Sequence, residues 1–102
     1  MNIVLIGFRG TGKSTVGRLL AKHLERDFID SDKYIEDSTE KTIKSIFEED
    51  GEEGFRKIEA DTIAELSKAD NKVISTGGGA VLKEDNVRNL KDNGFLVLLE
   101  AT

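Results

Sequence analysis

From Ser14 to about Glu25, Val16, Leu20 and Leu24 recur every four residues with Leu19 beside them, which predicts an amphipathic helix. Before it, Ile3–Ile6 is a short apolar run ending in glycine, the pattern of a buried parallel strand. Phe28–Ile29 predicts a second short strand entering Asp30-Ser31-Asp32, where a helix through Tyr34 and Ile35 begins. Ile43, Ile46 and Phe47 predict another helix ending near Gly51. Phe55, Ile58, Ile63 and Leu66 mark the apolar face of a third, from Glu52 to about Ser67. Lys72–Thr76 predicts a strand stopped by Gly77-Gly78-Gly79. A helix over Val81–Leu90 and a strand over Phe95–Leu99 complete the pattern.

Strands separated by helices imply a parallel sheet covered on both faces, an α/β three-layer fold. Residues 1–102 hold no repeat, low-complexity tract or linker, so a single domain is expected. Phe95–Leu99 is as apolar as an interior strand, yet only three residues follow it. A buried parallel strand feeds a crossover connection, so the expectation is the front portion of a longer domain.

Composition narrows the chemistry. The chain is 37% hydrophobic and 34% charged, which suits a globular domain with a highly charged surface. With no cysteine and a single histidine, His23, disulfides, thiolate metal sites and His-based metal clusters are excluded. The net charge of −5 is unevenly placed: residues 1–26 balance to +4 and the remainder to −9. Such a chain is a poor match for nucleic acid but suits a small anion near its basic N-terminal quarter. No apolar stretch approaches the ~20 residues of a membrane span. A cytoplasmic monomer with no membrane or nucleic-acid partner is expected.

Gly7-Phe8-Arg9-Gly10-Thr11-Gly12-Lys13-Ser14 matches G-x-x-x-x-G-K-[ST] at every fixed position, between an apolar strand and an amphipathic helix. The glycines let backbone N–H groups curl inward around phosphates, and the helix adds the positive end of its dipole. Lys13 can reach the β- and γ-phosphates, and Ser14 supplies a hydroxyl to Mg²⁺. The expected ligand is Mg-ATP, and the expected fold a P-loop NTPase-type parallel sheet with helices on both faces.

Three further clusters follow. Asp30 and Asp32 lie at the end of the second strand, where open α/β sheets place ligands. One carboxylate could organise the waters of Mg²⁺ and the other accept a proton from a substrate hydroxyl, although Asp is also a common N-cap. Arg56 could grip a carboxylate in bidentate fashion, or form a surface ion pair with Glu52 or Glu59. Gly77-Gly78-Gly79 could admit a ligand close to the backbone, or simply make a turn.

Taken together, the phosphate loop, Asp30-Ser31-Asp32, Gly51-Glu52-Glu53-Gly54-Phe55-Arg56 and Gly77-Gly78-Gly79 resemble, in order and spacing, the shikimate kinase family. The resemblance implies transfer of the ATP γ-phosphoryl to the 3-hydroxyl of shikimate. It implies that Gly10, Thr11, Gly12, Lys13, Ser14 and Thr15 cradle ATP, that Ser14 ligates Mg²⁺ and that Asp30 supports the metal through water. Lys13 and Asp32 would be catalytic, with Asp32 binding the shikimate hydroxyls and orienting or deprotonating the attacking one. Arg56 would hold the shikimate carboxylate and Gly78 contact the substrate through its backbone. The family's mobile lid, with its arginine, has no counterpart among these residues. Two other readings stay open: a gluconate-type kinase of the same fold, and a nucleotide-binding fragment that turns nothing over.

Overall fold

The computed structural model of the chain describes residues 1–7, 13–77 and 79–98, and gives only the backbone of residues 13 and 14. Four strands form one parallel sheet: β1 (Asn2–Ile6), β2 (Phe28–Asp30), β3 (Val73–Ser75) and β4 (Gly94–Leu98), in the order β2-β3-β1-β4. The helices are α1 (Lys13–Leu24), α2 (Ser31–Thr39), α3 (Ile43–Leu66) and α4 (Glu84–Asp92). The strand–helix alternation read from apolar periodicity is thus the alternation observed.

Successive side chains of β1 point to opposite faces of the sheet, and each face carries its own core. Val4 packs with Ile63, Leu66, Ile74 and Leu90, beneath α3 and α4. Leu5 packs on the other face with Val73 and Ala21 of α1. Helices therefore cover both faces, as the three-layer expectation required. A third cluster, Ile35, Ile46 and Phe55, joins α2 to α3 away from the sheet. On β4, Phe95 and Leu98 remain 63% and 57% exposed.

Gly51 divides α3. Its φ of 71° and ψ of 179° interrupt the helical backbone, a left-handed φ that suits glycine. The two helices expected on either side of Gly51 are thereby both present, joined across a kink at that residue.

The helix expected over Val81–Leu90 requires correction. A 3₁₀ turn spans Ala80–Leu82, Lys83 is extended at φ −100° and ψ 127°, and α4 begins at Glu84. Glu84 and Asp85 place negative charge in the first turn of α4, where the helix dipole favours it. No glycine or proline marks the break, so apolar spacing alone ran through it.

Candidate active site

The register aligns the C-terminal ends of three neighbouring strands. Leu5 of β1 and Asp30 of β2 both pair with Ser75 of β3. Gly7, the Asp30–Asp32 segment and Thr76–Gly77 therefore leave the sheet along one edge. This is where doubly wound sheets bind ligands. Thr76 ties the edge together, its N–H donating to the Leu5 carbonyl at 3.1 Å.

The phosphate-loop residues Gly10, Thr11 and Gly12 lie outside the described residues, as does Gly78. What is described is their context. β1 ends at Ile6, α1 begins at Lys13, and Thr15 is exposed in its first turn. The N-terminus of a twelve-residue helix thus opens at the ligand-binding edge.

Asp30 caps α2. Its Oδ1 accepts from the backbone N–H of Asp32 at 3.0 Å and of Lys33 at 3.3 Å. The capping alternative is therefore real, and it falls on a single oxygen of the carboxylate. Asp32, one residue into the helix, turns back toward the loop after β3. A Cβ built on Gly77 would lie 2.9 Å from Asp32 Oδ1 and 3.1 Å from Oδ2. The Gly77 backbone is close to the Asp32 carboxylate because no side chain separates them.

Arg56 approaches the same loop from α3. A Cβ built on Gly79 would lie 2.5 Å from both Nη1 and Nη2 and 2.7 Å from Cζ. The guanidinium thus rests on the Gly79 backbone. Asp32 and Arg56, twenty-four positions apart in sequence, meet the two ends of one glycine segment.

Both ion pairs weighed for Arg56 exist, but they differ in kind. Glu52 lies 3.7 Å from Nε and is 73% exposed, a surface contact of little energy. Glu59 accepts from Nη1 at 2.9 Å and is 1% exposed, while Arg56 itself is 23% exposed. The Glu59 pair is consequently not a surface ion pair. Burial pushes the Glu59 carboxyl above its ordinary range; the Arg56 bond and charge oppose that shift, the charge of Asp32 adds to it and Lys83 opposes it. Glu59 escaped the sequence reading as a site residue, although its spacing of four from Phe55 and from Ile63 places it on the buried face of α3.

Among the described residues, no three His, Cys, Asp or Glu side chains converge on a common point. The chemistry available at this edge is a capped carboxylate, a second carboxylate against a glycine backbone, and a guanidinium anchored from behind.

A family profile described as shikimate kinase matches residues 9–102. The chain belongs to the shikimate kinase family. The shikimate kinase of Symbiobacterium thermophilum is 50% identical over 101 residues, 99% of this chain and 58% of the relative. That of Pelotomaculum thermopropionicum is 56% identical over 100 residues, 98% of this chain and 58% of the relative. Among solved structures, a shikimate kinase from Acinetobacter baumannii in complex with shikimate superposes with a TM-score of 0.96 at 46% identity. It is covered for 56% of its length, by 99% of this chain. A shikimate kinase from Aquifex aeolicus gives 0.94 at 41% identity, with 100% of this chain on 61% of that one. The chain thus spans a little over half the length of the shikimate kinases it matches.

Proposed function

We propose that this protein transfers the γ-phosphoryl group of ATP to the 3-hydroxyl of shikimate. The observation that carries the reading is the placement of Arg56 and Asp32 at opposite ends of the Gly77–Gly79 segment, at the sheet edge where α1 begins. The likeness to a shikimate kinase solved with shikimate supports the choice of substrate.

Arg56 receives the shikimate carboxylate. Glu59 holds Nη1 from behind, so the edge formed by Nε and Nη2 is the one presented to the substrate, and exposed Glu52 is the partner displaced there. Asp32 binds the ring hydroxyls, orients the attacking one and accepts its proton. Gly78 contributes its backbone to the same substrate. The loop Gly10 to Thr15 cradles ATP, with Lys13 stabilising charge on the transferring phosphoryl group.

Magnesium fits the residues present. It takes hard oxygen ligands, one or two from protein and the rest from phosphates and water. Asp30 offers a half-buried carboxylate at the end of β2. Ser14 and Asp30 would hold the ion, Asp30 through water, and when bound it would supply positive charge against the developing phosphate charge. No helix among the described residues is long and apolar enough to cross a membrane; the small-molecule substrates of the reading are those of a cytoplasmic enzyme.

A coupled assay of ADP release, run on the full-length protein with shikimate and with gluconate, tests the proposal. Turnover with shikimate alone is expected. Turnover with gluconate and not shikimate overturns it in favour of the gluconate-type reading; nucleotide binding without turnover on either favours a non-catalytic role.

A further inference from the structure

We propose that Asn86 is a positioning residue for substrate binding: its amide fixes the turn on which the Arg56 guanidinium rests. The inference builds on the reading of Arg56 as the cation that receives the substrate carboxylate.

Asn86 lies in the first turns of α4 and is 1% exposed. Its Nδ2 donates to the Ala80 carbonyl at 2.9 Å. Only the NH₂ end of the amide can face a carbonyl oxygen, so this bond sets the orientation of the side chain. The other end is costly. Oδ1 is buried and has no hydrogen-bond partner among the described residues. A buried acceptor left unmet disfavours the fold, whereas an apolar side chain of the same size carries no such penalty. Packing alone therefore accounts poorly for asparagine here. The single bond that it makes accounts for it better.

That bond acts on the site at one remove. Ala80 is fully buried and starts the 3₁₀ turn, with its N–H donating to the Gly77 carbonyl at 3.1 Å and that of Leu82 to the Gly79 carbonyl at 3.2 Å. Gly79, the residue before Ala80, carries the guanidinium of Arg56 directly against it. Contacts thus run from Asn86 to Ala80, along the chain to Gly79, and across to Arg56. Glu59 fixes the guanidinium from α3, and Asn86 fixes from α4 the backbone surface beneath it. A shift of that turn moves the floor under Arg56.

Two variants of the full-length enzyme test this. Asn86→Asp keeps the shape but turns an acceptor toward the Ala80 carbonyl. Asn86→Leu keeps approximate size, buries no charge and so remains usable if the aspartate variant fails to fold. In Asn86→Leu, the KM for shikimate is expected to rise about tenfold, the scale of one lost buried hydrogen bond, with the KM for ATP within about twofold. The thermal midpoint is expected to change little, because loss of the unmet Oδ1 offsets loss of the donor to the Ala80 carbonyl. Asn86→Ser, which retains a donor, recovers part of the shikimate affinity. An unchanged shikimate KM in Asn86→Leu, or equal weakening of both substrates, overturns the inference and leaves Asn86 a structural residue. Failure of the unsubstituted enzyme to use shikimate at all would instead overturn the reading of the site, and this inference with it.

Discussion

Arg56 donates through Nη1 to the Glu59 carboxylate at 2.9 Å, and of the two it is the carboxylate that is buried. The asymmetry defines the pair's role. A buried acid that is 1% exposed can hardly reorganise, so it serves as a fixed anchor, while the guanidinium keeps a face toward solvent and ligand.

The anchor has a signature in pH. The Glu59 carboxyl titrates above its ordinary value of 4.5, burial being the main cause. Between that value and the raised one, the folded state holds a proton that the unfolded chain has released. This contribution to stability is therefore fully present below the unfolded value and is lost as pH rises through the folded one. Glu59→Gln cannot titrate and lacks the slope. Thermal midpoints of both proteins from about pH 4 to about pH 7 are expected to show the unsubstituted chain losing ground relative to Glu59→Gln as pH rises. A constant difference would mean that the Glu59 carboxyl titrates alike in the folded and unfolded chains.

Asp32→Asn is expected to leave nucleotide affinity nearly intact while slowing turnover on shikimate. The substitution keeps size and hydrogen-bonding capacity against Gly77 but removes the proton acceptor, and general-base assistance contributes ~10²–10⁴-fold. Titration with Mg-ATP and single-turnover kinetics in the full-length enzyme separate the two effects. Near-normal turnover would reduce Asp32 to a first-turn acid that favours the helix dipole.

Arg56→Lys keeps the charge but loses the planar fork that receives a carboxylate in two parallel bonds. A raised KM for shikimate with little change for ATP is expected. Equal loss on both sides would assign Arg56 to the nucleotide or to the architecture of α3.

The framework was legible in the sequence because apolar residues repeat with a period close to four on the helices and form short runs on the strands. The phosphate loop carried a fixed spacing that chemistry explains, whereas Asp30, Asp32 and Arg56 had capping or ion-pair alternatives and stood out only through the resemblance to shikimate kinases. Glu59 was harder. A charge three residues from an arginine reads as a surface pair until the face it shares with Phe55 and Ile63 is counted. Asn86 was harder still, since nothing in the residues around it signals a buried amide. The break at Lys83 lacks the glycine or proline that would have announced it. The glycines at 77 and 79 could be suspected of admitting something close; which side chains they admit is a tertiary fact.

Gly79→Ala separates site from stability most sharply. Gly79 has φ −88° and ψ −6°, which alanine adopts without strain. Replacing glycine at such a position stabilises by about 0.4–1 kcal/mol, through a less flexible unfolded chain. The added methyl, however, meets Arg56 Nη1 and Nη2 at 2.5 Å. The guanidinium ends a flexible side chain and can move aside, but doing so strains its bond to buried Glu59 and takes it from its place above the loop. Gly51→Ala is the converse control: its Cβ would meet nothing within 4 Å, but its φ of +71° disfavours any side chain, by about 1–2 kcal/mol. Gly79→Ala is expected to raise the KM for shikimate, the gain from a less flexible unfolded chain being offset by the strained Arg56–Glu59 bond, and Gly51→Ala to lower the midpoint with less change in KM. Thermal melts and shikimate kinetics on both variants decide it. If Gly79→Ala binds shikimate normally, the rest of Arg56 on the Gly79 backbone is a packing contact without consequence for the substrate.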